Sequence, residues 1–340
     1  MSKSRQSHRA KKQSKKRKKV FLFVLTPFLI VLLGATSYAA LLYNKAQSVM
    51  DNSYEPIIRE QTKREQKVDP KLDNISVLIV GIDDSNTRNY SSGSRTDALM
   101  LATFNEQAKS VKLLSIPRDS YVYIPRKGYN DKINHAYGKG GIASTMETVE
   151  GLLDIPIDYY VNVNFNAFID IVDALSGIEV DVPYTFSEQD SHDRQNAIHL
   201  KAGLQQLNGE EALALARTRK LDNDVERGKR QQEILKAIAN KATSVKSVTK
   251  YADVIEAVGE NMTTDLSFTE MKKFIDYMTA GTKLNIESLS LAGADNYING
   301  IYYYQLDTAS LNEIKQTLKS HLDVSSTVAS DHHSVEDTTP

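Results

Sequence analysis

The 340-residue chain contains no cysteine. Disulfides, a thiolate nucleophile and zinc–thiolate sites are therefore excluded. A chain of this length can bury a core that needs no such staples. Two common catalytic signatures are also missing. Gly138-Lys-Gly-Gly141 lacks the full Walker A pattern, and no G-x-S-x-G elbow occurs. The seven histidines show no metal-ligand spacing, and His135 and His199 read as structural. Acidic residues are absent from the first 19 positions, where ten residues are Lys or Arg. Taking those ten from the 42 basic residues leaves 32 against 43 acidic ones, a balance of −11. Bulk charge of that sign grips a nucleic acid backbone poorly, so no nucleic acid partner is expected.

Behind the basic segment comes Val20 to Tyr43, 24 residues without a charged side chain. As a helix this run covers about 36 Å at about 1.5 Å per residue, enough for the ~30 Å hydrocarbon core of a bilayer. It is longer than the apolar region of a signal peptide, and basic flanks are retained in the cytoplasm. The expected organisation is a cytoplasmic tail (1–19), a transmembrane signal anchor (20–43), a polar stalk (44–72), an extracellular domain (73–322) and a disordered tail (323–340). This makes the chain a single-pass type II protein of the cell membrane. The stalk is broken by Pro56 and Pro70 and is expected to add nothing to the core.

Inside the domain, Ile75–Val80 is a continuous apolar run closed by Gly81, as in a buried strand. Further strands are predicted at 98–104, 110–116, 159–163 and 178–182. Helical patterns cover 142–153, 166–175, 209–216, 227–242, 268–279 and 308–322. Strands interleaved with helices predict one α/β domain with helices on both faces of the sheet.

Four polar clusters fall at strand ends or helix starts, where α/β sheets gather ligands. Asp83 and Asp84 follow the first strand, and Arg95-Thr-Asp97 precedes the second. Two carboxylates from separate segments suit a hard cation such as Mg²⁺. They equally suit turn acids capping a loop. Arg118, in Pro117-Arg118-Asp119, could fork two phosphate oxygens or pair with Asp119. The densest cluster runs from Arg217 to Gln231 and holds Arg217, Arg219, Asp222, Asp224, Arg227 and Arg230. Arg227, Arg230 and Gln231 share a helix face by spacing. Guanidiniums so crowded repel unless a multivalent anion such as pyrophosphate sits among them. The plainer reading is a solvated charged helix, which accounts less well for the acids among the bases.

The order of motifs resembles the LytR-CpsA-Psr family of envelope phosphotransferases. The resemblance rests on Val80-Gly-Ile-Asp83, Arg95-Thr-Asp97, Ser115-Ile-Pro-Arg118-Asp119, Asp131-Lys-Ile-Asn-His-Ala-Tyr137, Val172-Asp-Ala-Leu-Ser-Gly-Ile178 and Arg217–Gln231. Ser176 stands where the family more often has glycine. The resemblance implies a three-layer α/β/α domain with a central mixed sheet, preceded by one transmembrane helix. It implies transfer of an anionic glycopolymer, wall teichoic acid first, from a polyisoprenyl pyrophosphate carrier to a peptidoglycan hydroxyl. By position it implies Arg95, Arg118, Arg217, Arg219, Arg227 and Gln231 on the pyrophosphate. Arg118, Arg219, Arg227 and Asp224 would form the catalytic centre. Asp83 or Asp84 would join Asp97 around Mg²⁺ or Mn²⁺. An apolar tunnel for the lipid is also implied, for which Phe165–Leu175 and Leu213–Leu215 are candidate walls or plain core. Such chemistry needs positioning and charge neutralisation more than a protein nucleophile, so the missing Cys and Ser-His signatures are consistent with it. A hydrolase of the same carrier linkage is the alternative enzyme. A transcriptional regulator is a weaker reading, because 19 cytoplasmic residues are too few for a folded DNA-binding module.

Overall fold

The computed structural model describes residues 33–34, 36–57, 59, 63–64, 67–82, 96–220, 223–242, 251–279 and 285–324. The chain divides into two compact units, 1–48 and 49–340. Residues 36–53 are helical (α1). The expected tail 1–19, most of the span 20–43, and residues 325–340 lie outside the described residues. Among the described residues no helix is long and apolar enough to cross a membrane.

In chain order the second unit contains β1 (Ile75–Ile82), β2 (Thr96–Asn105), β3 (Ser110–Ser115), β4 (Tyr121–Ile124), β5 (Tyr129–Lys132), α2 (His135–Leu153), β6 (Tyr159–Asn164), α3 (Phe165–Ala174) and β7 (Ile178–Val182). It continues with β8 (Phe186–Glu188), β9 (Ile198–Leu200), β10 (Gly203–Leu207), α4 (Gly209–Arg217), α5 (Asp224–Ala242), α6 (Tyr251–Asn261), β11 (Met262–Thr264) and α7 (Phe268–Thr279). It ends with β12 (Asn285–Ser290), β13 (Gly293–Ile298), β14 (Ile301–Leu306) and α8 (Thr308–Leu322).

Six strands form one mixed sheet in the order β11-β6-β1-β2-β3-β12. β1 pairs antiparallel with β2, Leu78 opposite Leu101, and parallel with β6. Both faces are covered, which is why the central strands are apolar throughout rather than alternating. On one face Leu78, Val80, Leu99, Leu101 and Leu114 pack with Met146, Val149 and Leu153 of α2 and Ile314, Leu318 and Leu322 of α8. On the other face Val77, Ala102 and Leu113 meet Leu235 of α5 and Met271 and Phe274 of α7. A third cluster joins α3, α4 and α5 to the β7–β10 ribbon through Val172, Ile178, Leu207, Leu215 and Ile234.

One strand and one helix depart from expectation. The predicted strand 178–182 leaves the central sheet and pairs with β10 instead. Its burial alternates, with Ile178, Val180 and Val182 buried and the residues between them exposed, as befits a ribbon covered on one face. α2 begins earlier than predicted, at His135, and breaks at Gly140-Gly141 before resuming at the predicted Ile142. Gly141 has φ 62° and ψ −152°, a conformation open to glycine and strained for other residues.

The stalk is a correction. From Val49 onward it belongs to the domain. Met50 is buried. Glu55 N–H donates to Thr264 O at 2.8 Å, and Tyr160 Oη donates to Glu55 O at 2.8 Å. Arg59 pairs with Glu150 at 2.9 Å with side-chain exposures of 8% and 7%, and donates to Ile157 O at 2.7 Å. Arg64 pairs with Asp158 at 2.9 Å, and Lys67 with Glu270 at 2.8 Å. The charges that read as solvated linker are partners for carboxylates fixed on the sheet and helices. A domain cut at Asp69 therefore loses ordered structure.

α8 is fastened by His321, which bridges Thr103 Oγ1 (2.8 Å from Nδ1) and Ser110 Oγ (2.9 Å from Nε2). Burial, with Lys112 adding to it against Glu287, pushes its pKa down from 6.5 to about 4.

Two outcomes follow. Arg59→Ala leaves Glu150 buried without its counter-charge, so unfolding free energy should fall by about 3 kcal/mol; denaturant titration measures it. For His321 the unfolded chain binds the proton first as pH falls. Stability is full above pH 6.5 and declines towards pH 4, by up to about 3 kcal/mol at ~1.4 kcal/mol per pH unit. His321→Gln should remove that part of the decline, seen as a smaller loss of stability between pH 7 and 4 than in the unsubstituted chain.

Candidate functional site

A cavity of about 290 Å³ opens between the sheet and helices α3, α4 and α5. Its mouth is polar: Asp97 from β2, Arg118 after β3, Arg217 and Arg219 after α4, and Arg227 and Gln231 from α5. Its inner wall is apolar. Ile79, Met100 and Val163 come from the sheet, Phe165 and Phe168 from α3, Leu213 and Ala216 from α4, and Ile234 and Leu235 from α5. One face of α5 accounts for much of this. Residues 227, 231, 234 and 235 follow helical spacing, so a single stripe passes from guanidinium through amide to aliphatic in about 12 Å.

Local sequence sets these positions. α4 starts at a capping box, in which Asn208 Oδ1 accepts from Glu211 N–H at 2.9 Å and Glu211 Oε2 accepts from Asn208 N–H at 2.9 Å. It ends at Thr218, whose ψ of 141° turns the chain out of the helix between Arg217 and Arg219. Gly228 lets α5 approach β3: a Cβ there would lie 2.2 Å from Ser115 Oγ and 2.9 Å from Ser115 Cβ.

The charges are only partly matched. Arg118 Nη1 pairs with Asp97 Oδ1, and its Nε is 3.7 Å from Asp119. Asp119 is held instead by Lys132, 3.0 Å away. Burial raises the Asp119 pKa, but the Lys132 ammonium and the Arg118 charge outweigh it and hold the carboxyl below its usual range. Asp224 serves two arginines, Arg219 Nε at 3.1 Å and Arg227 Nη2 at 3.5 Å. Both Asp224 oxygens and Arg227 Nε are buried without a hydrogen-bond partner. Burial lowers the Arg227 pKa to about 10; Asp224 resists this, and the Arg219 and Arg118 charges add to it. The group stays protonated at neutral pH. Arg217 lies over the Phe165 ring at 4.8 Å, and Gln231 Nε2 donates to Ala216 O at 3.1 Å. A half-buried cluster richer in cations than in anions is a site for a compact multivalent anion.

The structure thus brings Asp97, Arg118, Arg217, Arg219, Arg227 and Gln231 around one cavity, with Asp224 behind two of them. Asp83, Asp84, Arg95 and Asp222 lie outside the described residues. Arg230 is a correction, because it does not line the cavity. It donates from Nε to Leu215 O at 3.2 Å and from Nη2 to Thr218 O, tying α5 to the end of α4. Both candidate wall segments reach the cavity, through Phe165, Phe168 and Leu213. The contributions of Ile79, Met100, Val163, Ile234 and Leu235 were missed; the stripe on α5 was the available signal. His135 bonds Asp131 at 2.9 Å and His199 bonds Ser187 at 2.7 Å, both away from the cavity. Among the described residues no three His, Cys, Asp or Glu side chains are grouped to hold a metal.

Three comparisons bear on this geometry. The LytR_cpsA_psr family model matches residues 40–320. The polyisoprenyl-teichoic acid--peptidoglycan teichoic acid transferase TagT of Bacillus subtilis (strain 168) is 38% identical over 323 residues, covering 94% of this chain and 99% of that protein. A solved structure of TagT bound to LIIa-WTA is similar at a TM-score of 0.67 and 40% identity, over 80% of this chain and 100% of that one. Another, a LytR-CPS2A-psr family protein with bound octaprenyl pyrophosphate lipid, has a TM-score of 0.63 and 38% identity, over 79% of this chain and 99% of that one.

The close approach at Gly228 is testable by stability alone. Gly228→Ala gains about 1 kcal/mol of helix propensity, but overpacking against Ser115 costs about 1–3 kcal/mol. The contact distances favour the cost, so the midpoint of thermal unfolding should fall. Adding Ser115→Gly removes both clashing atoms and should recover the loss.

Proposed function

The chain belongs to the LytR-CpsA-Psr family, and on that premise we propose that it transfers wall teichoic acid from a polyisoprenyl pyrophosphate carrier to peptidoglycan. The observation that carries this reading is the cavity with a guanidinium mouth and an apolar interior. It matches an amphiphile whose charge and hydrocarbon are adjacent. A relative that carries the transferase name, and solved relatives holding LIIa-WTA and octaprenyl pyrophosphate lipid, support the same substrate.

The chemistry is a phosphoryl displacement. An acceptor hydroxyl oxygen forms a bond to the phosphorus that bears the polymer, the bond from that phosphorus to the lipid phosphate breaks, and the hydroxyl proton passes to the leaving phosphate or to solvent. Polyprenyl phosphate leaves with the charge that Arg118, Arg219 and Arg227 neutralise. Asp224 keeps Arg219 and Arg227 oriented. Arg217 and Gln231 hold the outer oxygens, and Arg95 is proposed with them on the resemblance. The apolar space beside Met100, Phe168 and Leu235 would take the isoprenoid carbons.

A divalent cation, Mg²⁺ or Mn²⁺, is part of the proposal. Asp97 offers a hard oxygen donor at the mouth. Asp83 follows directly on Ile82, whose register partner Thr96 neighbours Asp97, so Asp83 or Asp84 is the natural second donor. Bound there, the cation would neutralise pyrophosphate oxygens. The membrane reading likewise belongs here. A type II protein with a span at 20–43 and the domain outside the cell is supported by the 24 uncharged residues and their basic flank.

The test is reconstitution with a carrier-linked donor, with and without peptidoglycan. Linked polymer should form only with acceptor present; release of free polymer phosphate alone would mark a hydrolase. Arg219→Ala and Arg227→Ala should each lose at least about tenfold in rate, since a charge-assisted hydrogen bond is worth about 1.5–3 kcal/mol and more in a transition state. Donor affinity should rise with isoprenoid length, each buried CH₂ adding about 0.8 kcal/mol. Length-independent affinity would sink the tunnel, and activity that survives chelation would sink the metal.

A further inference from the structure

We propose that the outward face of the β13–β14 hairpin seats the acceptor glycan strand. This rests on the transferase reading and adds to it where the acceptor sugar binds. If the apolar wall holds the lipid and the arginines hold the pyrophosphate, the attacked phosphorus lies at the mouth. The acceptor must then approach from outside it.

The hairpin is fastened to that mouth. Tyr304 N–H donates to Asp119 O at 2.9 Å, and Tyr304 bridges Ser120, directly after Arg118-Asp119. Lys132 Nζ, 3.0 Å from Asp119, also lies 5.5 Å from the Tyr302 ring and 5.7 Å from the Tyr303 ring. A path of direct contacts therefore runs from the catalytic segment to the hairpin.

Its chemistry suits a neutral sugar. Register places Asp295 opposite Tyr304 and Tyr297 opposite Tyr302, so these four share one face. Tyr304 is sunk in the core, while Tyr297 is 69% exposed. Tyr297 and Tyr302 meet edge to face at 5.6 Å, and Tyr302 Oη donates to Asp295 at 3.0 Å. The face offers the exposed Tyr297 ring, backed by the half-buried Tyr302 ring, for the C–H side of a pyranose, with a carboxylate and an ammonium within reach of its hydroxyls. Lys132 is already matched by Asp119, so the face has little pull on the anionic polymer, which the guanidiniums attract. An uncharged sugar of the acceptor strand is the occupant that fits.

The test uses the full chain in detergent and uncross-linked peptidoglycan oligosaccharides. Tyr297→Ala should raise the acceptor KM about tenfold, as truncating an anchoring tyrosine does, and leave donor affinity unchanged. Tyr302→Phe keeps the ring and should keep acceptor binding. An unchanged acceptor KM in Tyr297→Ala and in the double variant with Tyr302→Ala overturns the proposal. A parallel loss of donor affinity also overturns it, because the rings then serve the donor's own sugars. Glycan binding read by saturation-transfer NMR without donor decides the subsite even if no linked product forms. Ring contacts that vanish in Tyr297→Ala support it, and contacts that persist unchanged refute it.

Discussion

Like charges held close in a half-buried setting are the constraint around which this domain is arranged. Arg118, Arg219 and Arg227 converge on one mouth, and Asp224 alone answers two of them. Such a cluster persists only if the surrounding fold over-determines it. Gly228 allows α5 to lie against Ser115, the capped α4 stops at Thr218, and Arg230 ties the two helices together. Each device belongs to packing, and each fixes where a guanidinium points. The unmatched charge is what an anionic ligand answers.

The same economy explains why the cavity lies where two cores meet. Ile79 and Leu235 belong to the cluster beneath the sheet, whereas Phe168 and Ile234 belong to the outer α3–α4–α5 cluster. Had these clusters closed on one another the domain would be a plain three-layer sandwich. Instead a seam remains between them, continuous with the charged mouth. The cavity is thus a departure from full packing at one defined place, supported by a sheet packed on its other face.

How much was legible follows from the physics of each signal. Continuous apolar runs such as Ile75–Val80 announce strands buried on both faces, and the structure places them at the centre of the sheet. β12, with the sequence NIESLS, carries no such signal, because an edge strand takes its place by backbone pairing. Among site residues, the arginines around Asp224 were readable because crowded like charges need a reason. Arg230 misled, since helical spacing gives a face but not whether its end reaches a ligand or a carbonyl. The stalk misled for a related reason. Arg59 and Arg64 look solvated in any window of sequence, and their partners Glu150 and Asp158 are more than ninety positions away. Tyr297 of β13 belongs to none of the motifs read from the sequence, and its exposure shows only in three dimensions.

The seam has one more consequence, in volume rather than charge. A space of about 290 Å³ walled largely by aliphatic and aromatic groups is volume that the chain surrenders when it unfolds. Hydrostatic pressure favours whichever state is smaller in total. The empty domain therefore carries a compressive weakness that a fully packed domain of equal size lacks. A hydrocarbon chain threaded into the seam removes that weakness. On the proposed function the lipid would count as interior material, and the domain would be denser with its substrate than without it.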